Sequence, residues 1–179
     1  MNLLKGFLKQ WNVKDSVISK AESDPKFSVD LSQVENVLSD LPEEKAKFLS
    51  ALALLLGRVA YADSDVSDTE KHKMKDLLIY EMKLSPDQAQ AVTSIAIERT
   101  LTHGLESHLI LDQMNKLASF DQKRDVLRTL FALAADEDIS VKESEEINLI
   151  SKGLGFDQNE FIAIRSEFRD HLSVLKKAN

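Results

Sequence analysis

The sequence contains no cysteine, and glycine and proline are scarce, with 5 and 3 residues respectively. Without cysteine the chain has no disulfide, no thiolate metal ligand and no thiol nucleophile. The scarcity of glycine and proline, which break helices, favours a helical fold. The content of 43% hydrophobic and 30% charged residues is ordinary for a globular protein. A chain of 179 residues fits one domain with a substantial core. We therefore expect an all-α protein.

The chain also lacks an excess of basic residues. It has 23 lysines and arginines against 30 acidic residues, which gives a formal net charge of -7. A negative protein repels phosphate backbones and loses the counterion release that supports nucleic-acid binding. No nucleic-acid partner is expected, and the metal ligands available are carboxylates and four scattered histidines.

No hydrophobic run is long enough to suggest a membrane span or a signal peptide. Met1–Trp11 is short and is interrupted by Lys5 and Lys9. Phe48–Ala62 is very apolar, but its 15 residues include Arg58 and fall short of the roughly 20 needed to cross a bilayer. We expect a cytoplasmic protein.

Residues 1–20 are predicted to form a basic amphipathic helix, because they contain four lysines and only one acidic residue, Asp15. Apolar residues at helical spacing on one face include Leu3, Leu4, Phe7 and Trp11. This helix can dock against the acidic remainder of the chain, or it can contact an anionic membrane surface weakly through that apolar face, at the periphery of the inner membrane. Docking is preferred because so short a segment binds membranes weakly. Residues 21–28 are predicted to be a linker.

Residues 29–179 are predicted to form a single helical domain, with about eight helices in the whole chain. Hydrophobic periodicity, caps and breakers give the expected boundaries. The expected helices are Val29–Leu41, Pro42–Tyr61, Thr69–Met82, Pro86–Gly104, His108–Leu117, Asp121–Ala135, Val141–Lys152 and a last helix that starts at Asp157.

A nine-residue segment occurs in two similar copies, 73 positions apart, as Ala62–Glu70 and Ala135–Glu143. Five positions are identical and a sixth is conservative. Each copy follows an apolar helix and precedes a second helix, so we predict two related halves at about 43–96 and 121–165. The fold predicted from this repeat is a pseudo-two-fold bundle of duplicated helical hairpins.

Part of each copy is typical of a helix cap. Ser67 with Glu70, and Ser140 with Glu143, each form a Ser-x-x-Glu capping box. In such a box the serine oxygen accepts from an amide of the first turn, and the glutamate accepts from the serine amide. Losing a cap of this kind typically costs about 0.5–2 kcal/mol.

Capping does not explain the aspartates at alternate positions before each box, Asp63 with Asp65 and Asp136 with Asp138. Together with the glutamates they concentrate hard oxygen donors on short loops, which suits Ca²⁺ or Mg²⁺. The spacing is not that of an EF-hand, and caps with solvated aspartates remain an alternative. The candidate metal ligands are Asp63, Asp65, Glu70, Asp136, Asp138 and Glu143.

The pattern Ala-Asp-x-x-hydrophobic-Ser-x-x-Glu, present twice, is followed by Leu154-Gly155-Phe156-Asp157 and by Glu160-Phe161. With these motifs the chain resembles the TerB-like tellurite-resistance proteins, most strongly over residues 48–165. The resemblance implies an all-helical pseudo-two-fold domain that serves in stress responses and has an acidic face proposed to bind divalent cations. The matching acidic positions are Asp63, Glu70, Asp136 and Glu143. Glycine commonly follows the first aspartate in the family, whereas Ser64 and Glu137 stand there in this chain.

An enzyme is not expected, because no histidine or nucleophile accompanies both acidic motifs at a fixed spacing. No organic cofactor is expected either, and without cysteine the chain cannot reduce tellurite with its own thiols. Two functions remain open. One is weak divalent-cation binding through the two acidic loops, and the other is an interaction module that docks an unknown protein partner or a membrane surface without a metal.

Overall fold

A computed structural model describes residues 6, 31–63, 65–98, 107–135 and 138–172 of the chain. Within these ranges lie eight α-helices and one short 3₁₀ helix. The helices are α1 (Leu31–Ser39), α2 (Glu43–Ala60), α3 (Asp68–Tyr80), α4 (Pro86–Ala96), α5 (Ser107–Leu117), α6 (Phe120–Ala134), α7 (Val141–Gly153) and α8 (Gln158–Ser166), followed by the 3₁₀ helix Arg169–His171. The predicted helix of residues 1–20, apart from Gly6, and the linker of residues 21–28 lie outside the described residues.

The predicted all-α class is confirmed, since no β-strand occurs in the part of the chain that the structure describes. The only extended pairing there is an isolated parallel bridge between Ile139 and Leu172. Within the same ranges, no helix combines the length and the hydropathy that a membrane span requires.

Helix α2 is the centre of the core. It packs against α4, α5, α6 and α7, and every residue from Leu49 to Gly57 is buried. A helix with neighbours on all sides must be apolar around its whole circumference, which explains the absence of a polar face in this run.

The turns after α3 and α7 are similar but differ in length by one residue. Each contains a residue with positive φ, Lys83 at 55° and Gly155 at 90°. Each then places a buried side chain, Leu84 or Phe156, before the next helix. In the shorter turn the Phe156 amide donates to the Ser151 carbonyl at 3.1 Å, five residues back, as in a Schellman motif. The spacing between corresponding residues therefore falls from 73 in the acidic loops to 72 after these turns.

The prediction that the helix starting at Pro86 continues to Gly104 was wrong, because α4 ends at Ala96. The Ile97 carbonyl, which a longer helix would use for the amide four residues on, accepts the Tyr61 hydroxyl at 2.5 Å. This hydrogen bond connects the C-terminal end of α4 to the C-terminal end of α2. Residues 99–106 lie outside the described ranges.

Candidate functional site

The two acidic loops connect α2 to α3 and α6 to α7, and each ends in a complete capping box. The Ser67 amide donates to Glu70 Oε2 at 2.6 Å, and the Glu70 amide donates to Ser67 Oγ at 3.2 Å. The corresponding distances for Ser140 and Glu143 are 2.8 Å and 3.1 Å. The predicted caps are confirmed, and each glutamate has one carboxylate oxygen engaged in its own helix.

The fold brings the two loops within electrostatic reach of one another. Burial is the main cause that raises the pKa of Glu143, while its hydrogen bonds with Ser140 act in the opposite direction. The negative charges of Asp63 and Glu70, from the other half of the chain, raise this pKa further. Packing of α2 against α7 accounts for this proximity. The loops therefore contribute to one acidic surface.

The two loops differ in how firmly they are held. Glu143 is buried with 8% of its surface exposed, and Ile139 beside it is 1% exposed. Their counterparts in the first loop, Glu70 and Val66, are only half-buried. The Ile139 amide also donates to the His171 carbonyl at 2.7 Å, so the segment after α8 fixes the second loop in place.

The predicted metal ligands are only partly placed by the structure. Asp63, Asp65 and Asp138 are exposed, whereas Asp136 lies outside the described residues together with Ser64 and Glu137. No group of three or more histidine, aspartate or glutamate side chains within the described ranges is arranged to hold a metal ion. The six-residue site stays a prediction.

Sequence reasoning missed an ion pair next to these loops. Arg58 Nε, in the last turn of α2, donates to Glu146 Oε1 of α7 at 2.7 Å. The two side chains are only 24% and 18% exposed. The single sequence signal was that Arg58 is the only charged residue in the apolar run Phe48–Ala62. The pair holds α2 against α7, so it supports the alignment of the two loops.

A cavity of about 520 Å³ that described residues line lies away from the acidic loops. Its walls come from the start of α2 near Glu44, the turn at Glu81–Leu84 and the start of α6 near Gln122. Lysine and carboxylate side chains line it, but no histidine, serine or threonine does. It therefore lacks the nucleophile and histidine base of a hydrolytic triad.

Comparison with known proteins identifies the family. The family model described as "Tellurite resistance protein TerB" matches residues 49–166, which include both acidic loops and the whole of helices α3 to α8. No curated protein and no solved structure matches the chain significantly. The match covers well over half of the sequence, and the chain belongs to the TerB family.

Proposed function

We propose that this TerB family protein is a non-enzymatic stress-response module of the tellurite-resistance type, and that its acidic loops bind Ca²⁺ or Mg²⁺ weakly. Family membership supports the general role, because the TerB family is generally not one of enzymes. The observation that carries the cation proposal is the effect of Asp63 and Glu70 on the pKa of Glu143. Carboxylates from the two halves repel one another across a common surface.

A divalent cation would relieve this repulsion. Hard cations prefer carboxylate oxygens, and the ligands proposed are Asp63, Asp65, Glu70, Asp136, Asp138 and Glu143. Weak affinity is expected, near about 10⁻⁴–10⁻³ M, because exposed ligands on loops are poorly preorganised. The caps reduce it further, since Glu70 and Glu143 each use Oε2 for a backbone amide and have only Oε1 left for a cation.

Isothermal titration calorimetry with Ca²⁺ and Mg²⁺, together with thermal unfolding, tests this proposal. We expect millimolar metal to release or absorb heat and to raise the melting temperature. An Asp63→Asn, Asp136→Asn double variant should lose most of this response. The matched control is Asp87→Asn with Asp121→Asn, which removes the same charge from the first turns of α4 and α6. No response in the wild type, or equal responses in both double variants, would contradict the proposal.

The alternative is an interaction module whose acidic surface docks a basic partner protein without a metal. Its support is that both capping boxes are complete without a cation. Partner capture that is equal in EDTA and in calcium, and that is lost when Asp63 and Asp138 are changed to lysine, would favour this function. Capture that requires calcium would favour the cation-binding function instead.

A further inference from the structure

Two adjoining cavities form a groove along α6. The first, of about 520 Å³, is the cavity described above at the starts of α2 and α6. The second, of about 280 Å³, lies between α6, the turn after α3 and the segment that follows α8. Glu81, Met82 and Asp125 line both cavities, so the two form one continuous depression. We call it the α6 groove.

The length of the α6 groove suits a short helix. Its α6 wall includes Gln122, Asp125, Thr129 and Ala132, which are spaced by three or four residues and therefore lie on one face of that helix. Ten residues of α-helix rise about 15 Å. This face therefore has room for about three turns of a second helix.

The α6 groove has an apolar floor and acidic side chains at its edge. Phe48, Met82 and Phe168 line it, and all three are partly buried and pack against the core. Glu44 and Glu81 are exposed, and the structure shows no ion pair for either among the described residues. Such a surface suits an amphipathic helix whose apolar face is flanked by lysines.

Two of the three cations that line the α6 groove are engaged with other groups. Arg128 donates from Nε and Nη2 to the Glu167 carboxylate at 3.0 and 2.9 Å. The Lys83 ammonium donates to the Tyr80 carbonyl at 2.5 Å. The formal charge of the lining residues is negative, with four carboxylates against three cations. A basic occupant is therefore favoured over an acidic one.

Residues 1–20 have the complementary composition. Four lysines and one aspartate give them a net charge of +3, so the rest of the chain carries -10 of the total of -7. As a helix, the apolar face of Leu3–Trp11 is about 12 Å long, which is shorter than the groove. Lys5 and Lys9 flank that face. Gly6, the described residue of this segment, is helical.

The chain between this segment and α1 is long enough to reach the α6 groove. Helix α1 begins at Leu31, and Glu44 in the groove wall follows 13 residues later. The helical part of that path spans about 12 Å and the remaining five residues at most about 18 Å, so Leu31 is within about 30 Å of the groove. Residues 21–30 can extend over about 33 Å. A short tether raises the effective concentration of the attached segment to about a millimolar.

We propose that residues 1–20 dock as a helix in the α6 groove of the same molecule. The apolar side chains of the segment cover the floor, and Lys5 and Lys9 contact the edge at Glu44 and Glu81. This contact uses none of the six proposed metal ligands. The docked segment cannot bind a membrane at the same time, because both contacts use the same apolar face.

The fluorescence of Trp11, the single tryptophan of the chain, tests the docking in the full-length protein. At low ionic strength its emission should be blue-shifted from that of free N-acetyltryptophanamide and protected from acrylamide quenching. Lys5→Glu with Lys9→Glu should lower the ratio of docked to undocked protein about tenfold, because two attractive contacts become repulsive. The protection of Trp11 should then be lost.

Reversal of the charges at the groove edge separates docking from a general loss of structure. Adding Glu44→Lys and Glu81→Lys to the two lysine substitutions should restore the protection of Trp11. The matched control adds Asp76→Lys and Asp87→Lys, which make the same change in charge at exposed residues outside the groove lining. This control should not restore the protection. Equal recovery in the two combinations, or recovery in neither, would overturn the proposal.

A nitroxide label locates the docked segment without altering the groove. Because the chain has no cysteine, Asn12→Cys provides one labelling position beside Trp11. In the full-length ¹⁵N-labelled protein the label should broaden the amide signals of Met82, Leu84 and Leu117. Broadening that is absent, or confined to other surfaces, would contradict the proposal even if the charge variants do not fold.

Two further measurements distinguish other occupants and other uses of the segment. Spin-labelled ¹⁴N protein is mixed with unlabelled ¹⁵N protein, and broadening of the groove signals as strong as in the singly labelled chain would assign the groove to a second copy. Protection of Trp11 that appears only when vesicles containing phosphatidylserine are added would assign the segment to a membrane. Either result would refute docking within one molecule.

Discussion

Changing Glu143 to glutamine should stabilise the protein at neutral pH, whereas the same change at Glu70 should not. Both residues close a capping box through Oε2, and a glutamine carbonyl oxygen can accept the same bond. They differ in surroundings, since Glu143 is buried and faces the charges of Asp63 and Glu70. The matched pair of variants therefore isolates the effect of a buried charge from the effect of a cap.

Opposing contributions set the size of the effect. A raised pKa means that the charged form of Glu143 is less favourable in the folded protein, at about 1.4 kcal/mol for each unit of difference. Loss of a negative charge at a helix N-terminus costs about 0.3–1 kcal/mol. We expect Glu143→Gln to raise the free energy of unfolding at pH 7.5, and each 1 kcal/mol gained raises the melting temperature by about 2–4 °C in a protein of 150–250 residues. Glu70→Gln should remain within about 0.5 kcal/mol of the wild type.

The pH dependence has a defined sign. Because the folded-state pKa of Glu143 lies above the ordinary glutamate value of 4.5, the folded protein binds the proton more tightly than the unfolded chain does. The penalty is present above the folded pKa and disappears as the pH falls towards 4.5. The gain in the free energy of unfolding from Glu143→Gln should therefore decrease as the pH falls from the folded-state pKa to 4.5.

Urea unfolding followed by circular dichroism between pH 4.5 and pH 7.5, in EDTA, measures both variants against the wild type. EDTA removes any stabilisation by bound metal. Destabilisation of Glu143→Gln by more than about 1 kcal/mol at pH 7.5, or identical behaviour of the two variants, would refute the reasoning. In the first case the carboxylate charge itself would be stabilising the fold.

Further predictions concern packing and ion pairs. Arg58→Met should destabilise the protein by about 1–3 kcal/mol in urea unfolding, because it leaves the half-buried Glu146 carboxylate without its cation. The double variant Arg58→Met with Glu146→Met should recover part of this loss. Purely additive effects of the two substitutions would argue against the ion pair. Gly153→Ala should lower stability by no more than about 1–2 kcal/mol, because its methyl group would overlap the Leu111 side chain while alanine is favoured over glycine in a helix by about 0.5–1 kcal/mol. A rise in melting temperature would disprove that overlap. Arg128→Ala removes an exposed pair with Glu167, and it should cost no more than about 1 kcal/mol and less in 1 M salt. A large loss that does not depend on salt would contradict this.

Features set by a few neighbouring residues could be predicted from the sequence. The boxes at Ser67 and Ser140, and those that start α4 and α8, follow from the spacing of a small polar residue and a glutamate or glutamine. The same signal at Ser119 with Gln122 was present but not used, so α6 was expected to start at Asp121, one residue late. These helix starts could therefore be predicted from residues only three positions apart in the sequence.

Features that depend on distant residues could not be predicted in this way. Arg58 and Glu146 are 88 residues apart in sequence, and no local pattern links them. Glu70 and Glu143 occupy the same position of one motif, yet of the two only Glu143 is buried, and the segment after α8 is hydrogen-bonded to its loop at the Ile139 amide. Sequence similarity between the two copies therefore did not imply equal environments.

The burial of Glu143 beside other carboxylates bears on the proposed function. Where carboxylates are kept together against their mutual repulsion, charge raises the energy of the free protein, and a bound dication recovers that energy. Glu143→Gln should therefore improve stability in EDTA and at the same time reduce the stabilisation that calcium provides. If both effects occur in Glu143→Gln, the repulsion that destabilises the free protein is the same interaction that a bound dication relieves. If calcium stabilises the variant as much as the wild type, Glu143 takes no part in the proposed site.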